Sequence, residues 1–305
     1  MSKYSFFALL FLCFSCSNGE MMQMTYQIVQ ENPLSAAQAD DLAQTINVRL
    51  QKAGFTETDA AVKDNVLTAK ARLRTDEIEQ MSRLHTVFEK CDFAIYPVYT
   101  FDNPVFYDSL QSLYAAEPSF ELLYPVNTMM KLGIVGHCRE ESKLEKIAAN
   151  INQNGYGPRN VKFIWSERAT PRMNDNGPGY YALYAVSMKP GVPASVTNTH
   201  IVKAEAGINP QTASSEVRIL LNPEGAKNWA QLTTRAANNN NSSVALLLNN
   251  RVWSAPRVNS PILGGQSSIT GFKSKEEADR IALGMILPPL AFDLVKVNEE
   301  VLKEE

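Results

Sequence analysis

The stretch Val244–Pro289, VALLLNNRVWSAPRVNSPILGGQSSITGFKSKEEADRIALGMILPP, decides the fold class. Val244–Leu248 is continuously apolar and predicts a buried strand. Asn249-Asn250 before Val252 predicts a two-residue hairpin turn, because asparagine tolerates positive φ. Gly264-Gly265 suits a tight, close-approach connection. Gly271 is expected to end or bulge a strand where a side chain would not fit. Ser267–Phe272 reads as the next strand. Ser274 then caps a helix with Glu276 and Glu277 in its first turn, and Pro288-Pro289 stops it. Ala291–Val297 is expected as a final strand.

Outward from this segment, strands and helices alternate. Glu216–Leu221 places Val217, Ile219 and Leu221 on one face, and Asn222-Pro223-Glu224 starts a helix that buries Trp229 and Leu232. Near the N-terminus, Thr25–Gln30 reads as a strand. Ser35–Gly54 reads as a helix, with Leu42, Ile46 and Leu50 in register and Gly54 as its C-terminal cap. Asn65–Leu73 is a half-buried strand. Thr75 is expected to cap a helix with Ile78, Met81, Leu84, His85 and Phe88 on its inner stripe, and Phe93–Tyr99 to close the unit. The order β-α-β-α-β predicts an α+β sandwich. In the middle, Leu132–His137, Asn160–Trp165 and Tyr180–Met188 read as strands, Glu140–Asn152 as a helix, and Thr170–Gly179 as a loop.

A chain of 305 residues with 45% apolar residues can bury one or two cores. Lys and Arg total 29 against 32 Asp and Glu, without a basic patch, so no nucleic-acid partner is expected. Four cysteines and three histidines are too few and too scattered for a zinc framework, so no metal site is expected. Gly133–Gly136 lacks the Lys-Ser/Thr of a phosphate loop, and no small-molecule cofactor is indicated. His85 reads as a core histidine, and His137 and Cys138, adjacent on a strand, point to opposite faces. His200 has no partner set in the sequence. Glu140-Glu141, Glu276-Glu277 and Glu299-Glu300 read as solvated charges. These residues give no convergent acid–base set, so the chain is expected not to be an enzyme, with a hydrolase as the remote alternative.

The N-terminus carries an address. Lys3 precedes the apolar run Phe6–Phe14, and Phe14-Ser15-Cys16 has the form of a bacterial lipobox. Residues 1–15 are therefore expected to be a lipoprotein signal peptide, with Cys16 as the lipid-attachment site and the anchor as the chain's only hold on the membrane. The later apolar segment Ile281–Leu294 is interrupted by Pro288-Pro289 and Asp293. Cys91 and Cys138 remain after processing. In an oxidising periplasm they could pair as a disulfide, whereas separate buried thiols are the default for cysteine.

The pattern as a whole resembles the first periplasmic domain of the SecD family of protein-export subunits. Val244–Asn249, the Val252–Val258 hairpin with Ser254-Ala255-Pro256, Ile262–Phe272 with Gly264-Gly265 and Ile269-Thr270-Gly271, and Glu276-Glu277-Ala278 through Ile281-Ala282 carry the likeness. Leu221–Ala226 with Trp229, Leu232 and Thr233, and Ile46–Leu50 with Ala53-Gly54-Phe55, extend it. Phe93–Pro97 occupies the place of another of that domain's strands. The likeness spans roughly Met24–Tyr99 and Lys203–Val297.

It implies a ferredoxin-like base formed by both chain ends, 16–100 and 273–299, with an inserted α+β head at 195–272 and an enlarged insertion at 101–194. Two departures stand out. Met285-Ile286-Leu287-Pro288 replaces the family's Gly-x-Leu-Pro, and the sequence to Glu305 holds none of the membrane helices through which the family couples proton flow to translocation. The expectation is a periplasm-facing, lipid-anchored domain in the cell envelope that binds an extended polypeptide or an envelope partner such as the Sec translocon. The alternative is an accessory or assembly subunit docking on an envelope complex.

Overall fold

The computed structural model describes residues 19–74, 77–99, 120–122, 133–153, 158–169, 179–192 and 194–302. Cys16 and the expected helix cap Thr75 lie outside them, as does most of the loop expected over Thr170–Gly179.

Both chain ends meet in one sheet. Gly19–Val29 (β1), Ala36–Lys52 (α1), Thr56–Lys63 (β2), Val66–Arg74 (β3), Glu77–Val87 (α2) and Asp293–Leu302 (β15) form a four-stranded layer in the order β15-β1-β3-β2 with two helices. Every neighbour pair is antiparallel. This is the βαββαβ order of a ferredoxin-like layer. Alternation in β1 sends Met22, Met24, Tyr26 and Ile28 into the core. Helix α1 opens on a capping box, in which the Gln38 amide N–H donates to Ser35 Oγ and the Ser35 N–H to Gln38 Oε1. It closes with Gly54 at φ 92° and the Phe55 N–H donating to the Leu50 carbonyl at 3.0 Å, a Schellman closure.

Strand β2 was not expected. Thr56–Lys63 lies at the sheet edge and buries only Ala60 fully, so its alternation is nearly silent in the sequence. Asp64 and Asn65, at φ 52° and 59°, make the turn into β3. The strand expected to close this unit, Phe93–Pro97 (β4), pairs elsewhere, because its Phe93 and Ile95 face a different core.

The middle of the chain forms its own layer. Phe120–Leu122 (β5), Ile134–Cys138 (β6), Val161–Trp165 (β7) and Tyr181–Ser187 (β8) pair in the order β5-β6-β8-β7, with Leu144–Gln153 (α3) packed on them. Trp165 Nε1 donates to the Leu144 carbonyl at 2.8 Å, fixing helix to sheet.

The chain then enters Val196–Thr197 (β9), a 3-10 turn at Asn198–His200, Ile201–Ile208 (β10), Ser215–Leu221 (β11), Pro223–Asn238 (α4), Val244–Leu248 (β12), Arg251–Ser254 (β13), Gln266–Phe272 (β14) and Lys275–Ile286 (α5). These give two sheets, β10-β11-β14 and β13-β12-β4-β9.

Strand β12 explains its own continuous apolarity. Val244, Leu246 and Leu248 belong to the core beneath α4 and α5, while Ala245 and Leu247 pack with Val98, Ile164, Val186 and Val252 against the middle layer. A strand buried on both faces must be apolar at every position. At about 1.5–3 kcal/mol for a fully buried Val or Leu side chain, it is a principal contributor to both cores. The hairpin turn is as the sequence indicates, with Asn249 and Asn250 at φ 54° and 59°.

Helix α5 also serves two cores. Ala278, Ile281, Ala282 and Met285 face the head sheets, and Leu283 faces the base with Leu287 and Leu290 beyond it. A Cβ on Gly284 would lie 3.3 Å from Leu248 Cδ2, so glycine there lets α5 approach β12 closely. The last strand extends past the expected Val297 to Leu302, since β1 reaches back to Gly19 and supplies partners.

Two glycine readings need correction. Gly271 has open space at its Cβ position and is required by φ 98°, where β14 bulges between Thr270 and Phe272. Gly264 is also open. Only Gly265 makes the close approach, with a Cβ there 3.3 Å from Ala226 Cβ and from the Leu221 carbonyl oxygen.

Candidate functional site

The head sheet has one face on the core and one open. Across the open face run the rows Lys203–Leu220–Gln266, Glu205–Arg218–Ser268 and Gly207–Glu216–Thr270. The first two rows line a groove of about 500 Å³. Arg218 extends over Gly207, whose missing side chain makes room for the guanidinium. Glu216, only 6% exposed, accepts from Ser268 Oγ at 2.7 Å and Asn209 Nδ2 at 3.1 Å. The Ser268 hydroxyl first, then the Asn209 amide and Arg218, hold its carboxyl below the usual range against the opposing effect of burial. Lys203 and Glu205 pair at 2.7 Å with both side chains more than half exposed, an interaction worth at most about 1 kcal/mol.

Among the described residues the groove ends at strands with partners on one side only, because β11 is central and β10 and β14 are its outer neighbours. Val202 (60% exposed), Leu220 and Leu263 (76% exposed) place apolar surface beside the β10 edge and the Gly264-Gly265 connection. Such an edge can accept an added strand, with main-chain hydrogen bonds giving affinity and the flanking face giving selectivity.

Beneath the head, two side chains hold the crossings between head and base, Arg49 from the base and Asn198 from the head. Arg49, with no exposed surface, reaches the carbonyls of Pro288 and Glu89 at 2.5 Å and of Thr86 at 3.2 Å, and Cys91 Sγ at 3.2 Å. Burial pulls its affinity for the proton down, and the nearby Cys91 and Glu89 oppose that. From the head side, Asn198 Nδ2 lies 2.9–3.2 Å from the carbonyls of Cys91, Gly284, Met285 and Leu287, and its Oδ1 accepts the Phe93 N–H at 2.9 Å. The two chain crossings between base and head are thus pinned by backbone-directed polar groups.

A profile described as the SecDF P1 head subdomain matches residues 184–290, from within β8 through α5. The SecD subunit of the protein translocase from Rhodothermus marinus is 30% identical over 182 residues, covering 57% of this chain and 28% of the relative. SecD of Acidaminococcus fermentans is 41% identical over 73 residues, covering 24% of this chain and 17% of the relative. A solved domain of SecDF, described as a membrane component that enhances protein export, superposes with a TM-score of 0.51 at 18% identity, over 92% of this chain and all of that one. SecDF in its super-membrane-facing form gives 0.53 at 15% identity, over 93% of this chain and 30% of that one. Residues 184–290 thus match the SecDF head subdomain, and the chain shares its fold with the solved SecDF domain. It spans less than a third of the length of the SecD relatives it matches.

Within this SecD-type domain the residues singled out from sequence fall in separate places. Cys91 belongs to the base core and Cys138 to the middle core, and no disulfide joins them. Each thiol is buried in its own layer, that of Cys91 beside the Arg49 guanidinium, and burial pushes the Cys91 thiol up. His137 packs its ring against Tyr180 at 4.0 Å. His200 Nδ1 accepts the Thr197 N–H at 3.0 Å in the 3-10 turn.

His85 is not a core residue. Its side chain is 44% exposed and its Nε2 lies 3.2 Å from Glu299, because β15 passes beside α2. Glu277 is likewise not a solvated charge. It holds the Arg168 guanidinium, which also donates to the Gly271 carbonyl and so braces the middle layer onto the head. Among the described residues no three His, Cys, Asp or Glu cluster to hold a metal, and no helix is long and apolar enough to cross a membrane. The roles of Asn198 and Arg168 went unread in the sequence, since single polar residues show no period.

Proposed function

We propose that this chain is a lipid-anchored, periplasm-facing SecD-like domain of the protein-export machinery that binds extended polypeptide at its head. The observation that carries this reading is the head sheet itself: three strands, an open polar face, and β10 with no partner on its outer side among the described residues, beside exposed Val202. The lipobox-like Phe14-Ser15-Cys16 supplies the anchor and the SecD relatives supply the context. The head is taken as 195–272, joined by the crossing strand Phe93–Pro97, the base as the rest of 16–100 with 273–299, and 101–194 as the insertion.

The test pairs purified protein with a reduced, unfolded polypeptide. Val202→Lys with Ile208→Lys should weaken capture roughly tenfold, about 1.4 kcal/mol, with an unchanged melting curve. No binding by the unsubstituted protein, or equal binding by the variant, rejects the reading. Metabolic labelling with palmitate should mark the chain and be lost in Cys16→Ala. Recovery of Sec subunits from detergent extracts without polypeptide binding would favour the docking-subunit alternative.

A further inference from the structure

A second open edge lies on the base. Strand β15 pairs with β1 on one side and has no partner on the other among the described residues. It carries three large exposed apolar side chains, Val295 at 55%, Val297 at 63% and Val301 at 49%. Val297 sits at the bulge between the Tyr26↔Lys296 and Thr25↔Asn298 pairs. Natural edges are usually short or covered, so ten open residues with exposed valines call for an occupant.

Beside this edge, between base and head, opens a cleft of about 740 Å³. Leu294 and Lys296 line it from β15, and Phe292 just before the strand. Asn249, Asn250 and Arg280 form the far wall. Its floor includes Tyr26 and Phe88, stacked at 4.4 Å. Most of the charges at the cleft are already engaged, and the exposed Asp92 also lines it. Arg280 grips Glu89 at 3.0 and 3.1 Å, Lys90 meets Asp293 at 3.4 Å, and Lys296 and His85 share Glu299 at 2.8 and 3.2 Å. An entering apolar side chain therefore meets Phe292, Leu294 and the Tyr26 and Phe88 rings among ions that are mostly paired, with Asp92 left to face a basic one.

Asp293, Glu299 and Glu300 outnumber Lys296 on the strand, and with Lys90 and His85 set against Asp293 and Glu299, Glu300 and the neighbouring Asp92 leave the edge acidic. A second copy pairing through the same strand would bring like charge to like, whereas a basic strand is complementary.

We propose that β15 and its cleft form a second strand-receiving site, which takes an extended polypeptide segment of alternating apolar and basic residues. Its backbone adds to the β15 edge, its apolar side chains enter the cleft, and its basic side chains lie along the acidic edge. The site is independent of the head edge.

The full chain is prepared with p-benzoylphenylalanine in place of Val297, and separately in place of Val202. Each is irradiated with a labelled peptide of alternating Val and Lys, and with the same peptide carrying Glu for Lys. Cross-linking at Val297 with the Lys peptide, and its loss with the Glu peptide, is the expected result. Val295→Lys/Val297→Lys should lower that peptide's affinity roughly tenfold, with sedimentation and melting unchanged. Cross-linking only at Val202 overturns the second site and leaves the head reading standing. Cross-linking only at Val297 supports the second site while the head reading fails. Cross-linking at neither position, or a dimer abolished by the β15 substitutions, overturns it.

Discussion

The junction between base and head and the open face of the head sheet are both built from polar side chains, yet they behave oppositely. At the junction, Arg49 and Asn198 are buried and their donors aim at backbone carbonyls of α2, α5 and the crossings between them. On the head face, Lys203, Glu205, Arg218 and Ser268 stand in water and pair with one another or with Glu216. A buried polar group that satisfies backbone acceptors is costly to remove, because the acceptors stay buried without it. An exposed pair contributes little, and water replaces it. The first region therefore fixes geometry, and the second leaves a surface free to be used.

The largest effect should come from breaking the junction. Arg49→Met keeps the aliphatic stem but strips donors from the Thr86, Glu89 and Pro288 carbonyls, and should lower stability in urea unfolding by roughly 3 kcal/mol or more. Asn198→Ala should cost about 2–3 kcal/mol, leaving the Phe93 N–H and several carbonyls unpaired.

The paired glycines sharpen the contrast. Gly265→Ala must push against Ala226 and the Leu221 carbonyl and should cost about 1 kcal/mol, while Gly264→Ala should stay within about 0.5 kcal/mol.

On the head face, Ser268→Ala should act mainly through pH. The Glu216 carboxyl is held low in the folded state, so its contribution is present above the ordinary carboxylate range and is lost as pH falls through the lowered folded value. The urea midpoints of Ser268→Ala and the parent chain should therefore differ at neutral pH and converge in acid. Val202→Lys should be the smallest stability effect, within about 0.5 kcal/mol, while affecting binding.

Much of this division was legible in the sequence where residues carry a period. The apolar run Val244–Leu248, the Asn249-Asn250 turn and the caps at Ser35, Asn222 and Ser274 could be read directly, as each is a local physical requirement. Two edge strands were not. Thr56–Lys63 and Ile201–Ile208 bury small alanines and expose the rest, so they lack an apolar alternation strong enough to register. Phe93–Pro97 was recognised as a strand, but its partner β12 lies about 150 residues on, and pairing at that distance leaves no local trace. His85, Glu277 and Arg168 took their roles from long-range neighbours for the same reason. The ferredoxin-like base and inserted head followed from family resemblance, whereas the open edges of β10 and β15 required coordinates.

Strand β1 begins at Gly19, only three residues after the proposed anchor Cys16. Three residues reach at most about 11 Å, so a lipid there leaves almost no leash. From that point β1 climbs 11 residues, about 36 Å, to Val29 opposite Asp293, the end where Lys90 and Leu290 lead into the head. An anchored copy would thus stand as a short post, its height above the bilayer set by the length of one strand. Inserting a flexible spacer after Cys16 would let the head wander without touching a single contact inside it.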